Sequence, residues 1–160
     1  MAALLRVLGF VPALVHLAWA QVALAEGGQT SSQQLKWVTP WRIGVGAFVC
    51  VIVLGLSCAL ALNQQWLAPK WQGAWIYIGP LVLWQGSACM SAAFSHRPFQ
   101  TQAAHQYSWV CMCLASLQAL ILLGPICFGL LVEAEQHMTV FAICSSLGLI
   151  CLTRWTAKLR

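Results

Sequence analysis

The sequence predicts an all-α fold: a polytopic helical membrane bundle of four to five transmembrane helices. Three observations predict it. Charged residues stand in small clusters separated by apolar runs, with none between Arg6 and Glu26, Arg42 and Lys70, Lys70 and Arg97, Arg97 and Glu133, or Glu135 and Arg154. Each gap suits a helix that crosses a bilayer, for which roughly 20 residues suffice. The composition agrees: of 160 residues, 61% are hydrophobic and 7% are charged, against about 25% charged in a soluble domain. Finally, Trp37, Trp41, Trp66, Trp71, Trp75, Trp109 and Trp155 fall near the ends of the apolar runs. Amphipathic indole rings favour that headgroup level, which makes the set an interfacial belt. Trp19 and Trp84 lie within runs instead.

The first apolar segment occupies residues 1–25, with Arg6 in front and Ala23-Leu24-Ala25 before Glu26. It reads either as a first transmembrane helix or as a signal peptide, since both begin with a basic residue and an apolar stretch. Its length, and the interruptions at His16 and Gln21, favour a retained span. Residues 26–40 form a polar loop without periodicity, rich in Ser and Gln. Four spans follow at 41–62, 73–94, 107–132 and 138–155. The second starts just after Pro40, where a proline costs little because its missing N–H would be unpaired anyway. Pro80 and Pro125 lie inside their runs and are expected to bend them. The short connections predict that consecutive spans are antiparallel neighbours.

Charge sets an expected orientation. With five spans, one side receives Lys36, Arg42, Arg97, Arg154, Lys158 and Arg160, and the other receives Arg6, Lys70, Glu133 and Glu135. The basic side belongs in the cytosol, which places the C-terminus there and the N-terminus outside. A four-span bundle with the first segment not fully crossing also satisfies the bias. The organelle is not legible. The formal charge of +5 is dispersed over span flanks and the tail. That pattern suits anionic headgroups and excludes the stacking-plus-phosphate surface that nucleic acid needs.

Catalytic chemistry is sparse. All eight cysteines fall inside predicted spans, where thiols behave as small hydrophobes and pack helices. Cys111 and Cys113 are separated by one residue and point about 200° apart on a helix, so they do not share a metal. His96 and His105 flank one loop and His137 opens the last span, so no histidine pair sits at matched depth for haem. The acids are Glu26, Glu133 and Glu135, all outside the spans, whereas a proton-coupled pump carries ionisable groups within them. Asp is absent, and there is no phosphate-binding glycine loop. No metal, no cofactor and no catalytic residue is therefore expected.

What remains is polar glue and close packing. Gln85 and Gln118 lie near the middle of the third and fourth spans, and His16 lies at similar depth in the first segment. The three are expected to form a midplane polar cluster, with the two amides bonded across an antiparallel hairpin for about 1 kcal/mol. Gly55 and Ala59 sit four apart, as do Ser87 and Ser91. Such ridges let backbones approach, so these four are candidate helix-packing residues.

The stretch Pro69-Lys70-Trp71-Gln72-Gly73-Ala74-Trp75-Ile76-Tyr77-Ile78-Gly79-Pro80-Leu81 resembles the start of the second span of CD20-like tetraspan membrane proteins. The matching positions are Pro69, Trp71, Gly73, Gly79 and Leu81. Pro80 and the signal-like start depart from that pattern, and the long cytosolic tails are missing. The resemblance covers little more than one span. It implies an oligomerising tetraspan that modulates other membrane proteins and has no enzyme site.

The expected function is that of a non-enzymatic multi-pass membrane protein: an accessory subunit, assembly factor or scaffold. Its partners are the lipid bilayer and other membrane proteins or further copies of itself. Two alternatives stand beside it. One is a small membrane enzyme or a lipid or small-molecule carrier with a pocket around His16, Gln85 and Gln118. The other is an oligomeric pore.

Overall fold

The computed structural model describes residues 2–19, 21–22, 38–66, 69–129 and 133–159. The polar loop expected at 26–40 lies almost wholly outside them, as do Glu26, Lys36, Trp37 and Arg160. The described chain is all-α. Helix α1 spans Ala2–Leu14 and continues into a π-helical turn, Val15–Trp19. Helix α2 spans Val38–Asn63. A 3-10 helix, Pro69–Tyr77, leads into α3, Ile78–Phe94. A single turn, α4, covers Arg97–Gln100, and two long helices follow: α5, Ala104–Cys127, and α6, Ala134–Lys158.

Among the described residues, three segments are long and apolar enough to cross a membrane: Pro40–Asn63, Ala104–Pro125 and Ala134–Lys158. This is fewer than the four to five expected, and the reason is local. Pro80 is the third residue of α3 rather than a mid-helix kink, because the chain before it winds as a 3-10 helix. A proline is tolerated in that first turn, where its N–H has no helical acceptor. The α-helical part of the third apolar run is then 17 residues, about 25 Å long. The first segment is interrupted too. Pro12 sits inside α1 and removes an N–H, and the helix widens to π geometry within one turn.

The central helix is shorter than α2, α5 and α6. Helix α3 packs against α1, α2 and α6, and α5 packs against α6. Side-chain contacts fix the directions. Gly9 of α1 faces Gln85, and Trp19 reaches Ala93, so α1 runs parallel to α3. Gly44 faces Met90 while Gly55 faces Val82, so α2 runs antiparallel to α3. Trp84 meets Phe141 and Arg97 meets Ala157, so α6 is parallel to α3. Leu114 fills the space over Gly148 and His137 bonds the Leu122 carbonyl, so α5 is antiparallel to α6.

The expectation that spans three and four are neighbours is therefore corrected: α6 takes the place beside α3, and α5 lies outside it. Small residues explain the exchange. Helix α3 buries Gly86, Ser87, Cys89, Ser91, Ala92 and Ala93, and α6 buries Ala142, Ser145, Ser146, Thr153, Thr156 and Ala157. Two such faces bring backbones close, which in lipid is a main source of helix association. Helix α5 offers bulkier residues and meets α6 through a seam of half-buried Tyr107, Cys111, Leu114, Gln118 and Ile121. That spacing of four and three is the narrow stripe of a helix with one long neighbour.

Two glycines make the central packing possible. A β-carbon at Gly86 would overlap the Phe48 ring, and one at Gly55 would overlap Val82 Cγ2. The exposed apolar side chains line the outward faces, among them Val45, Val49, Val53, Leu56 and Leu60 on α2. A row of that kind would be a liability in water and is the expected lining toward lipid.

Candidate functional site

Among the described residues, polar and aromatic side chains gather where α3 ends. The sequence there changes from small residues to Ser95-His96-Arg97-Pro98. Pro98 is the second residue of the short helix α4, where its missing N–H costs nothing. The side chains of Phe94, Ser95, His96, Arg97 and Pro98 are all buried, although the turn connects two helices at the end of the bundle.

Each member is held by a different element. From α6, the Ala157 carbonyl accepts a 2.9 Å hydrogen bond from Arg97 Nη1. The last carbonyls of a helix lack internal donors and carry the negative end of its dipole, so a guanidinium is the group best suited to that position. The same guanidinium lies 5.6 Å from the centroid of the Phe94 ring, a cation–π distance. From α2, Trp41 meets Phe94 edge to face at 5.2 Å. From the π-turn, Trp19 Nε1 donates to the Ala93 carbonyl at 2.9 Å, and the Trp19 ring stands at 87° to the His96 ring with centroids 5.8 Å apart.

His16 completes the joint. The Ser95 hydroxyl donates to the Ala92 carbonyl at 2.8 Å, and Ser95 Oγ lies 3.3 Å from His16 Nδ1. A hydroxyl has one proton to give, so Oγ accepts from His16 and Nδ1 carries the hydrogen. The His96 ring is 2% exposed, and its Nδ1 has no hydrogen-bond partner. Burial pulls the His96 pKa down, Arg97 beside it adds to the lowering, and the Ala93 carbonyl pulls the other way. Burial also lowers Arg97, which stays charged because a guanidinium starts so high.

The predicted midplane cluster is not assembled by this arrangement. Gln85 is buried on α3 beside Gly9, where the glycine leaves room for its amide on α1. Gln118 lies on the seam that α5 presents to α6, and α3 and α5 share no extended interface. His16 lies with Ser95 at the end of α3, about ten residues or roughly 15 Å along that helix from Gln85. Among the expected packing residues, Gly55 faces Val82 and Ala59 is half-buried against the core. Ser87 is buried and returns its hydroxyl to the Leu83 carbonyl at 2.9 Å, and Ser91 is buried as well.

In the sequence, His96 and Arg97 have the look of loop residues and Trp19 that of an exception to the belt. The available signal was the run Ser95-His96-Arg97-Pro98 directly after a helix of small residues. Elsewhere, His137 Nε2 donates to the Leu122 carbonyl at 3.2 Å, three residues before Pro125. That bond ties α6 to α5 one residue from Ile121, whose carbonyl loses its helical donor to Pro125. Among the described residues, no three His, Cys, Asp or Glu side chains converge to hold a metal.

The fold and the joint define a class: a multi-pass, all-helical membrane protein whose buried polar side chains tie helix to helix. No family model, no curated protein and no solved structure matches the chain.

Proposed function

We propose that the chain is a non-enzymatic membrane protein that acts through helices of other membrane proteins, as an accessory subunit, assembly factor or scaffold. The observation that carries this reading is the placement of α5. It leans on α6 along one narrow seam and leaves Trp109, Met112, Leu117, Leu120 and Leu123 exposed around the rest of its circumference. Small exposed residues, Ser108, Ala115, Ser116 and Ala119, are interleaved with them. A helix of that kind allows close approach of a further helix within the bilayer. The bonds of Arg97 and Trp19 support the same reading, because they tie elements of the chain to one another.

The proposal includes five crossings. The 3-10 helix adds about 18 Å to the length of α3, enough for the pair to reach across a hydrocarbon core of about 30 Å. Alternating directions then bring Arg42, Arg97, Arg154 and Lys158 to one end, which the positive-inside rule places in the cytosol. The likeness of residues 69–81 to CD20-like tetraspan proteins points toward the same role and adds self-association to it.

A photo-crosslinking residue at Leu120, on the open face, tests this in native membranes, with Leu114 in the seam as the internal control. The expected result is a discrete protein adduct at position 120 and none at 114. Lipid adducts alone at position 120 overturn the reading.

A further inference from the structure

We propose that the His96 joint is an acid-operated latch: proton uptake by His96 releases the π-helical end of α1, Val15–Trp19, from the end of α3. The latch rests on how few polar contacts hold that segment. Trp19 Nε1 bonds the Ala93 carbonyl at 2.9 Å, and His16 Nδ1 meets Ser95 Oγ at 3.3 Å. Both acceptors belong to the last turn of α3 and the residue after it, next to the His96 ring. Leu17 and Ala18, between the two anchors, are exposed.

The neutral ring fits this place. Its Nδ1 is buried and makes no hydrogen bond, which a lone pair tolerates better than an N–H does. A proton on Nδ1 creates an N–H that needs an acceptor. The Ala92 carbonyl is already taken by the Ser95 hydroxyl and amide, at 2.8 and 3.2 Å. The Ala93 carbonyl is the backbone acceptor that interacts with the His96 ring. It is also the acceptor that holds Trp19. An imidazolium N–H drawn to that carbonyl shares it with the indole and weakens the indole's hold, since a charged donor makes the stronger bond.

The surrounding charges set the same sign. Among the described residues, the titratable groups toward this end are His16 from α1, Arg42 from α2, Arg97 from the turn itself, His105 from α5, and Arg154 and Lys158 from α6. None of these is an acid, so these groups add no attraction for a proton on His96. In the folded state burial and Arg97 hold the His96 pKa below its ordinary value. The docked form is accordingly favoured at neutral pH and loses ground as pH falls below the usual histidine range, about 6.5. The compartment sensed is the one that bathes the basic end of the bundle.

The test uses the full chain in lipid nanodiscs with a trifluoromethyl-phenylalanine at Leu17, read by fluorine NMR between pH 7.5 and 5. A second resonance is expected to grow on acidification, with its ratio to the first rising by at most about tenfold per pH unit for one proton. The transition is expected to persist in His16→Gln and to vanish in His96→Asn. Trp19→Phe, which lacks the donor to Ala93, is expected to show the second resonance already at pH 7.5. A single resonance at all pH values overturns the latch. So does a transition that survives His96→Asn, or acidification that sharpens the docked resonance, the behaviour of an imidazolium held against the indole face.

Discussion

Arg97 donates a 2.9 Å hydrogen bond to the carbonyl of Ala157, so the residue that opens the turn after α3 also closes the C-terminal end of α6. One side chain thereby sets the relative height of two parallel helices that are separated in sequence by all of α5. Replacing it leaves that carbonyl buried without its charged donor. Arg97→Ala is expected to destabilise the bundle by roughly 1.5–3 kcal/mol, the range for hydrogen bonds to charged groups. Arg97→Lys is expected to recover only part of this, because an ammonium cannot reproduce the planar fork that lies near Phe94. Reversible unfolding in mixed micelles with increasing SDS fraction measures both.

The contact of Gly86 with the Phe48 ring leads to a second prediction. A β-carbon at position 86 overlaps the ring, so Gly86→Val forces α2 and α3 apart or Phe48 off its rotamer. A cost of about 1–3 kcal/mol is typical of such overpacking. Gly46→Val, on the same side of the sequence but with open space around it, is expected to be silent. Comparing the two in the same unfolding assay separates packing from helix propensity.

Gln85 and Gln118 occupy different interfaces, and their energies are therefore expected to be independent. A double-mutant cycle of Gln85→Leu and Gln118→Leu should give an interaction energy within about 0.5 kcal/mol of zero. A coupling near 1 kcal/mol, the value for amides bonded across a hairpin, would contradict the placement of α6 beside α3. A companion pair tests the true neighbour of Gln85. Gly9→Ala is expected to be tolerated, since its β-carbon would sit 3.7 Å from Gln85 Oε1, an ordinary contact. Gly9→Leu is expected to displace the amide and weaken the docking of α1.

Orientation gives a fourth prediction. The helix directions bring Arg42, Arg97, Arg154 and Lys158 to one end of the bundle and Glu133 and Glu135 to the other. With the basic end cytosolic, a protease site appended after Arg160 is expected to be cut when only the plasma membrane is permeabilised. A glycosylation acceptor placed beside Glu135 is expected to be modified. Protection of the first and no modification of the second would reverse the assignment.

Much of the secondary structure was legible because it depends on local properties of the chain. Long uncharged runs make helices in lipid, and Trp66, Trp75 and Trp109 are exposed near helix ends as amphipathic rings are expected to be. The third run was harder to read. Pro80 marked a disturbance, but its position in the first turn of α3 depends on where the preceding 3-10 helix stops, and tertiary packing of that helix against α2 and α6 decides this. The site was hardest. His96 and Arg97 have the composition of a surface loop, and only the arrival of α1 and α6 buries them.

The apolar runs and their charged punctuation by themselves determined that this is a helical membrane protein whose helices alternate in direction, because each helix closes its backbone hydrogen bonds internally and needs no neighbour to do so. Which helix stands beside which was decided only in three dimensions. Depth along a span, the property from which Gln85 was matched to Gln118, carries no information about the direction a side chain faces. The choice between α5 and α6 as the companion of α3 depends on how closely two surfaces fit, and the smaller residues of α6 allow the closer approach.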